Sequence, residues 1–107
     1  MSYKHITPTE LQERLENNEK LSLIDVREPF EFEIARIEGA KLFPMSRFNE
    51  FVGQLNPDDE MVVICHHGVR SAQVCYYLSQ QGFDKVYNLT GGIDAWSVEV
   101  DRGVPRY

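Results

Sequence analysis

Residues 61–71 have the sequence MVVICHHGVRS, in which an apolar run ends at a single cysteine that is followed by a glycine and an arginine. The run 61–64 is typical of a buried strand, and residues 71–81 have apolar side chains at helical spacing. Cys65 therefore lies between the end of a strand and the start of a helix. Backbone N–H groups that are free at a helix start can point at the sulfur, and the positive end of the helix dipole favours its ionised form. The stretch predicts a nucleophilic thiolate at Cys65.

Strand and helix patterns alternate along the rest of the chain. Strands are predicted at residues 4–6, 21–26, 41–43, 61–64 and 85–89. Helices are predicted after the capping box Thr7-Pro8-Thr9-Glu10, at 29–35, from the cap Ser46 to Asn56-Pro57, at 71–81 and at 93–98. This alternation indicates an α/β fold with a mostly parallel sheet. Ligands of such sheets bind at the carboxyl ends of the strands, which is where Cys65 lies.

The spacing between Cys65 and Arg70 bears on the chemistry of the loop. It is C-x4-R, six residues in all, whereas cysteine phosphatases and arsenate reductases use C-x5-R. The longer loop is wide enough for a tetrahedral oxyanion that is held by bidentate arginine contacts. The shorter loop is expected to close on something smaller, and one extra sulfur atom, carried as a persulfide, is the natural candidate.

Composition and charge narrow the classes of partner. The chain has 107 residues, and we expect residues 1–107 to form one domain. A net charge of −6 disfavours non-specific binding to nucleic acid and to anionic membranes. No segment has the run of about 20 apolar residues that a membrane span needs. The chain shows no secretory leader pattern, and its two cysteines do not suggest a disulfide framework, so a cytoplasmic location is expected.

Four short motifs stand out along the chain. They are LIDVREP at 23–29, IEGA at 37–40, CHHGVRS at 65–71 and YNLTGGIDAW at 87–96. In this order and spacing they resemble the motifs of single-domain rhodaneses, the thiosulfate sulfurtransferase family. Two residues depart from the family pattern, since Arg36 stands where the family usually has histidine and Glu38 where it has proline.

The resemblance implies a five-stranded sheet with helices on both faces. It also implies a sulfurtransferase that moves a sulfane sulfur from a small anionic donor such as thiosulfate to cyanide or a thiol, including a protein thiol. The sulfur would be carried as a persulfide on Cys65, with no cofactor and no metal. The implied active-site loop comprises His66, His67, Gly68, Val69 and Arg70. Its backbone amides would cradle the persulfide, and its arginine and histidines would form a basic mouth that attracts the donor.

Other residues are given structural roles. Cys75 shares a helix face with Val74 and Leu78, which predicts core packing rather than a second reactive thiol. Gly68 is expected to take a positive φ so that the loop amides converge. The adjacent histidines lack the spacing of a metal site, and we expect them to contribute amide donors and partial positive charge. Roles in holding loops and helix starts are predicted for Asp25, Arg27, Gly91, Gly92 and Trp96.

Two other functions fit parts of the pattern. A cysteine phosphatase or arsenate reductase would use the same thiolate, but it would need the longer loop and a proton donor, and no aspartate can be assigned to that role. A non-catalytic binding or regulatory module would share the fold, although a cysteine in an amide-rich loop favours an enzyme.

Overall fold

The computed structural model describes residues 3–107, which form one parallel sheet covered by helices. The five strands are β1 (Lys4–Ile6), β2 (Ser22–Asp25), β3 (Lys41–Leu42), β4 (Met61–Ile64) and β5 (Val86–Leu89). They pair in the order β1-β5-β4-β2-β3, and every pair is parallel. This confirms the α/β prediction and the five strands that the resemblance implied.

Helices cover both faces of the sheet. They are α1 (Pro8–Glu16), α2 (Pro29–Ile34), α3 (Phe48–Phe51), α4 (Val69–Gln80) and α5 (Gly92–Glu99). Side chains alternate across the central strand β4, so that Met61 and Val63 pack in one hydrophobic cluster while Val62 and Ile64 pack in the other. The first cluster includes residues of α3 and α4, and the second includes residues of α1 and α5. The arrangement confirms that helices lie on both faces.

The start of α1 follows from its sequence. Thr7 has an extended backbone conformation, and its hydroxyl accepts the backbone N–H of Glu10 at 3.2 Å. The Glu10 carboxylate in turn accepts the backbone N–H of Thr7 at 2.9 Å. This reciprocal capping box, with Pro8 at the first helical position, confirms the predicted helix start.

The segment between β3 and β4 differs from the prediction of one helix capped by Ser46. It consists of a 3-10 turn at Met45–Arg47, the short helix α3 and a second 3-10 turn at Val52–Gln54. The hydroxyl of Ser46 does not cap a helix, because it donates to the carboxylate of Glu28 at 2.6 Å. An interaction with a residue 18 positions away replaced the local one that the sequence suggested.

Helix α4 also begins earlier than predicted, at Val69 rather than Ser71. Gly68 has a φ of +99°, and the helix starts immediately after it. Val69 and Arg70 therefore belong to the first turn of the helix. The turn that leads out of β4 is consequently tighter than the sequence suggested, because residues 66–68 alone separate Cys65 from the helix.

Candidate active site at the end of strand β4

Cys65 directly follows the central strand and is almost completely buried, with 1% of its surface exposed. The backbone N–H of Gly68 donates to its Sγ atom, with a nitrogen to sulfur distance of 3.0 Å. The positive φ of Gly68, as predicted, turns the chain so that this N–H points back at the sulfur. A cysteine held by a backbone amide beside the start of a 12-residue helix is placed to act as a stabilised nucleophile.

The start of α5 holds the other side of the loop. The N–H of Ile93 donates to the carbonyl of Cys65 at 2.9 Å, and the N–H of Asp94 donates to the carbonyl of His66 at 3.1 Å. Gly92 has a φ of +63°, and a Cβ atom there would overlap both of these carbonyl groups. Glycine at this position therefore permits the close approach of the two backbones. This agrees with the predicted role of Gly92 in entering the helix beside the loop.

Two buried polar residues that the motifs did not single out form a hydrogen-bonded chain that begins at Cys65. The hydroxyl of Ser71 is 3.3 Å from Sγ of Cys65 and donates to Oδ1 of Asn88. The side-chain amide of Asn88 donates in turn to the carbonyl of Gly68 at 3.2 Å. Ser71 is fully buried and Asn88 is 5% exposed. The sequence does contain one indication of this network, which is Asn88 within the otherwise apolar strand 86–89. A buried amide needs hydrogen-bond partners, so an asparagine at this position indicates a polar network.

Arg70 makes a bidentate ion pair with Glu31 of helix α2. Its two terminal nitrogens lie 2.7 and 2.9 Å from the two carboxylate oxygens. The Glu31 side chain is only 7% exposed, and it also accepts the backbone N–H of Glu28 at 3.0 Å. Hydrogen bonds from Arg70 lower the pKa of Glu31 to about 2, although burial opposes this shift. The arginine at the end of the loop thus has a fixed carboxylate partner that the sequence analysis did not foresee.

Tyr107 joins this ion pair to a second, fully buried one. Its hydroxyl donates to Glu31 at 2.8 Å and accepts a hydrogen bond from Arg27 at 2.9 Å. Arg27 and Asp25 are both 0% exposed and form a salt bridge of 2.6 Å. Burial raises the pKa of Tyr107 to about 12, so the hydroxyl keeps its proton at neutral pH. The structural role predicted for Asp25 and Arg27 is confirmed.

The two histidines of the loop form part of an aromatic stack. The ring of His66 lies between those of His67 and Tyr107, with centroids 4.0 Å from each. Burial, and to a smaller extent the neighbouring His67, lower the pKa of His66, so it is neutral at pH 7. Asp94 lies beside the two histidines. A ring nitrogen of each histidine and a carboxylate oxygen of Asp94 lie within 4.8 Å of one another, which makes them a group that could hold a metal ion. Asp94 is 27 positions after His67 in the chain, so the histidine pair alone did not indicate this third residue.

The charges around Cys65 are more evenly matched than predicted. Arg70 is paired with Glu31, Arg27 with Asp25, and Arg106 with Asp94 at 2.8 Å. His66 is neutral at pH 7 for the reason just given. The predicted basic mouth is therefore wrong, because each of these arginines has a carboxylate partner.

Cys75 takes the role that its helical spacing predicted. It is fully buried in the hydrophobic cluster between α4 and the sheet, and both cysteines are free thiols. Burial raises the pKa of Cys75 to about 12, which keeps it protonated and unreactive. Trp96 is likewise buried, in the cluster that includes residues of α1 and α5.

Residues 7–99 match the family model described as the Rhodanese-like domain. The chain belongs to the rhodanese-like family. The rhodanese-like domain from Staphylococcus aureus has the same fold, with a TM-score of 0.84 and 34% identity over 97% of this chain and 98% of that one. The putative sulfurtransferase YtwF of Bacillus subtilis is 42% identical over 92% of this chain and 95% of its own length.

The rhodanese-like sequence also occurs within longer proteins. The Rhodanese-like/PpiC domain-containing protein 12 of Arabidopsis thaliana, a chloroplastic protein, is 42% identical over 97% of this chain. The chain spans only 37% of the length of that relative. Within residues 3–107, no helix is long and apolar enough to pass through a bilayer.

Arg36 is the clearest departure from the family motif. It is exposed, and its guanidinium lies over the ring of Phe32, 5.0 Å from the ring centroid. In the neighbouring turn Gly39 has a φ of +88°, a conformation that favours glycine. In this rhodanese-like domain the arginine packs on the surface of α2.

Proposed function

We propose that the chain is a sulfurtransferase that carries a sulfane sulfur as a persulfide on Cys65. The observation that carries this proposal is the hydrogen bond from the N–H of Gly68 to the buried Sγ of Cys65, in a short loop that leads from β4 to α4. The Bacillus subtilis relative, which has a similar length, is named a putative sulfurtransferase. Its similarity over nearly the whole chain supports the same activity here.

In the first half-reaction the Cys65 thiolate attacks the outer sulfur of a donor such as thiosulfate. The bond between the two donor sulfurs breaks, and sulfite departs with its electron pair. The product is a Cys65 persulfide anion, so that charge and sulfur are both balanced. The backbone amides from His66 to Arg70 stabilise this anion, as preorganised donors do in an anion hole.

In the second half-reaction an acceptor removes the outer sulfur. Cyanide attacks it to give thiocyanate and the free Cys65 thiolate, and a thiol, including one on a protein, would receive the sulfur in the same way. Each step is a displacement at sulfur, so the proposed cycle uses no metal and no cofactor. A cytoplasmic location is part of the proposal, because a reducing compartment keeps Cys65 available as a thiolate.

Intact mass spectrometry after incubation with thiosulfate tests the proposal. The protein is expected to gain one sulfur atom, and cyanide is expected to remove it with release of thiocyanate. Cys65→Ala should abolish the gain, whereas Cys75→Ala should keep it, because Cys75 lies in the core away from the amide loop. If Cys75→Ala lost the sulfur while it remained folded, the assignment of the nucleophile would be wrong.

Two further outcomes would each indicate a different function for the chain. A folded protein that takes up no sulfur from any donor would be a non-catalytic module. Turnover of an aryl phosphate that is lost in Cys65→Ser would indicate the phosphatase reaction, although the six residues from Cys65 to Arg70 make a loop that is one residue short for an oxyanion.

A further inference from the structure

We propose that Glu31 makes the active site select sulfur donors with one negative charge over doubly charged donors such as thiosulfate. The inference rests on the proposed sulfur transfer at Cys65. Its starting point is the ion pair at the end of the active-site loop, where the carboxylate of Glu31 neutralises the guanidinium of Arg70. Glu31 would be a specificity-determining residue that acts by removing a positive charge.

The position of Glu31 is fixed by four hydrogen bonds. Its two oxygens accept one bond from each terminal nitrogen of Arg70, one from the hydroxyl of Tyr107 and one from the N–H of Glu28. The side chain is 7% exposed, so water does not compete strongly for these donors. Such a carboxylate stays in place and stays ionised, and Arg70 cannot turn away from it without leaving a buried charge unpaired.

The remaining positive groups near the loop do not replace the lost charge. Arg27 is buried against Asp25, and Arg106 lies against Asp94. An incoming donor therefore meets the backbone amides and the Cys65 thiolate. The thiolate repels an anion, and the repulsion grows with the charge of the donor.

Two donors that differ by one charge separate this effect from chemical reactivity. Thiosulfate has a charge of two, and the methanethiosulfonate anion has a charge of one. Both present an outer sulfur on an oxidised sulfur atom. The Cys65 thiolate displaces sulfite from the first and methanesulfinate from the second, and either reaction leaves the same Cys65 persulfide. The difference in leaving group is the same in every variant, so a change in the ratio of the two kcat/KM values between variants reports on donor charge.

The test compares this ratio in the wild-type protein and in Glu31→Gln. The substitution keeps the size of the side chain and restores the charge of Arg70. We expect the kcat/KM for thiosulfate, relative to that for methanethiosulfonate, to rise about tenfold. Glu50→Gln is the matched control, because Glu50 also pairs with an arginine, Arg47 at 3.0 Å, but both side chains are more than half exposed. The control should change the ratio less than about twofold.

The double variant Glu31→Gln/Arg70→Gln is a second test that does not depend on the folding of the first, because it leaves neither charge of the ion pair unpaired. If Glu31 cancels the charge of Arg70, removal of both charges should leave the ratio within about twofold of the wild-type value. A folded Glu31→Gln protein with an unchanged ratio, or a double variant whose ratio falls about tenfold, would overturn the role of Glu31 while sulfur transfer stands. If neither donor loads sulfur on wild-type Cys65, the proposed function itself is wrong.

Discussion

The two ends of the active-site loop are held by different kinds of interaction. At Cys65 the donors are neutral backbone amides, since the N–H of Gly68 donates to the sulfur and the N–H of Ile93 donates to the carbonyl of Cys65. At Arg70 the contacts are charged and come from Glu31, which Tyr107 supports. The shape of the loop and its charge are therefore set by separate residues. A substitution that alters the shape of the loop should therefore leave its charge unchanged, and a substitution that alters the charge should leave the shape unchanged.

Gly92→Ala should have the largest effect, because it changes the shape of the loop. The new Cβ would overlap the carbonyls of Cys65 and His66, and the residue would keep a φ of +63°. We expect the free energy of unfolding to fall by about 3 kcal/mol and sulfur loading to be lost. Urea unfolding and intact mass measure the two effects.

Gly82→Ala is the control for this prediction. Gly82 has a φ of +91°, but no atom lies within 4 Å of the Cβ position. Its replacement should cost about 1 kcal/mol and leave sulfur loading intact. Equal costs at the two glycines would show that the contact between α5 and the loop does not matter.

Asn88→Ala should have an intermediate effect at the same end of the loop. It removes the donor to the carbonyl of Gly68 and the acceptor of the Ser71 hydroxyl, which is left fully buried. The loss of stability should be about 2 kcal/mol, with slower persulfide formation. Asn49→Ala, at an exposed position, is the control. A normal loading rate in a folded Asn88→Ala protein would show that this network does not position Cys65.

The ion pair at the other end should produce the smallest effect, as a dependence of stability on pH. The pKa of Glu31 lies at about 2 in the folded protein, against an ordinary value of 4.5. The ionised carboxylate therefore stabilises the fold above pH 4.5, and this contribution is lost as the pH falls toward 2. Between about pH 5 and pH 3, the wild type should lose about 1 kcal/mol more than Glu31→Gln, after allowance for the partly exposed Arg70.

Urea unfolding at the two pH values provides the measurement. Other carboxylates with lowered pKa values, such as Asp94 and Glu60, are present in both proteins, so their contributions cancel in the comparison. Parallel losses in the two proteins would mean that the ion pair contributes no net stability.

The sequence predicted those parts of the molecule that depend on neighbouring residues. The capping box at Thr7, the buried strand β4, and the turn at Gly68 each follow from a few consecutive side chains. The proximity of Gly92 to Cys65 was also foreseeable, because parallel strands end at one edge of the sheet.

Contacts between distant residues could not be predicted in this way. Glu31 meets Arg70 across 39 positions, and Tyr107 meets Glu31 across 76. The sequence contains many oppositely charged side chains that could pair with a given residue. Only the tertiary structure determines which of them lies close enough to do so. The 3-10 turn around Ser46 has the same origin, since a hydroxyl that fits a local helix cap was engaged by the distant Glu28.

The stacked ring of His66 can serve as an internal probe in NMR spectroscopy. Its imidazole lies 4.0 Å from the ring of Tyr107, nearly parallel to it with an angle of 10° between the planes. Ring currents in the tyrosine shift the resonances of imidazole protons upfield at such a distance. The chemical shifts of the His66 ring protons therefore report, without any label, whether Tyr107 remains stacked on His66 when Cys65 accepts and releases sulfur.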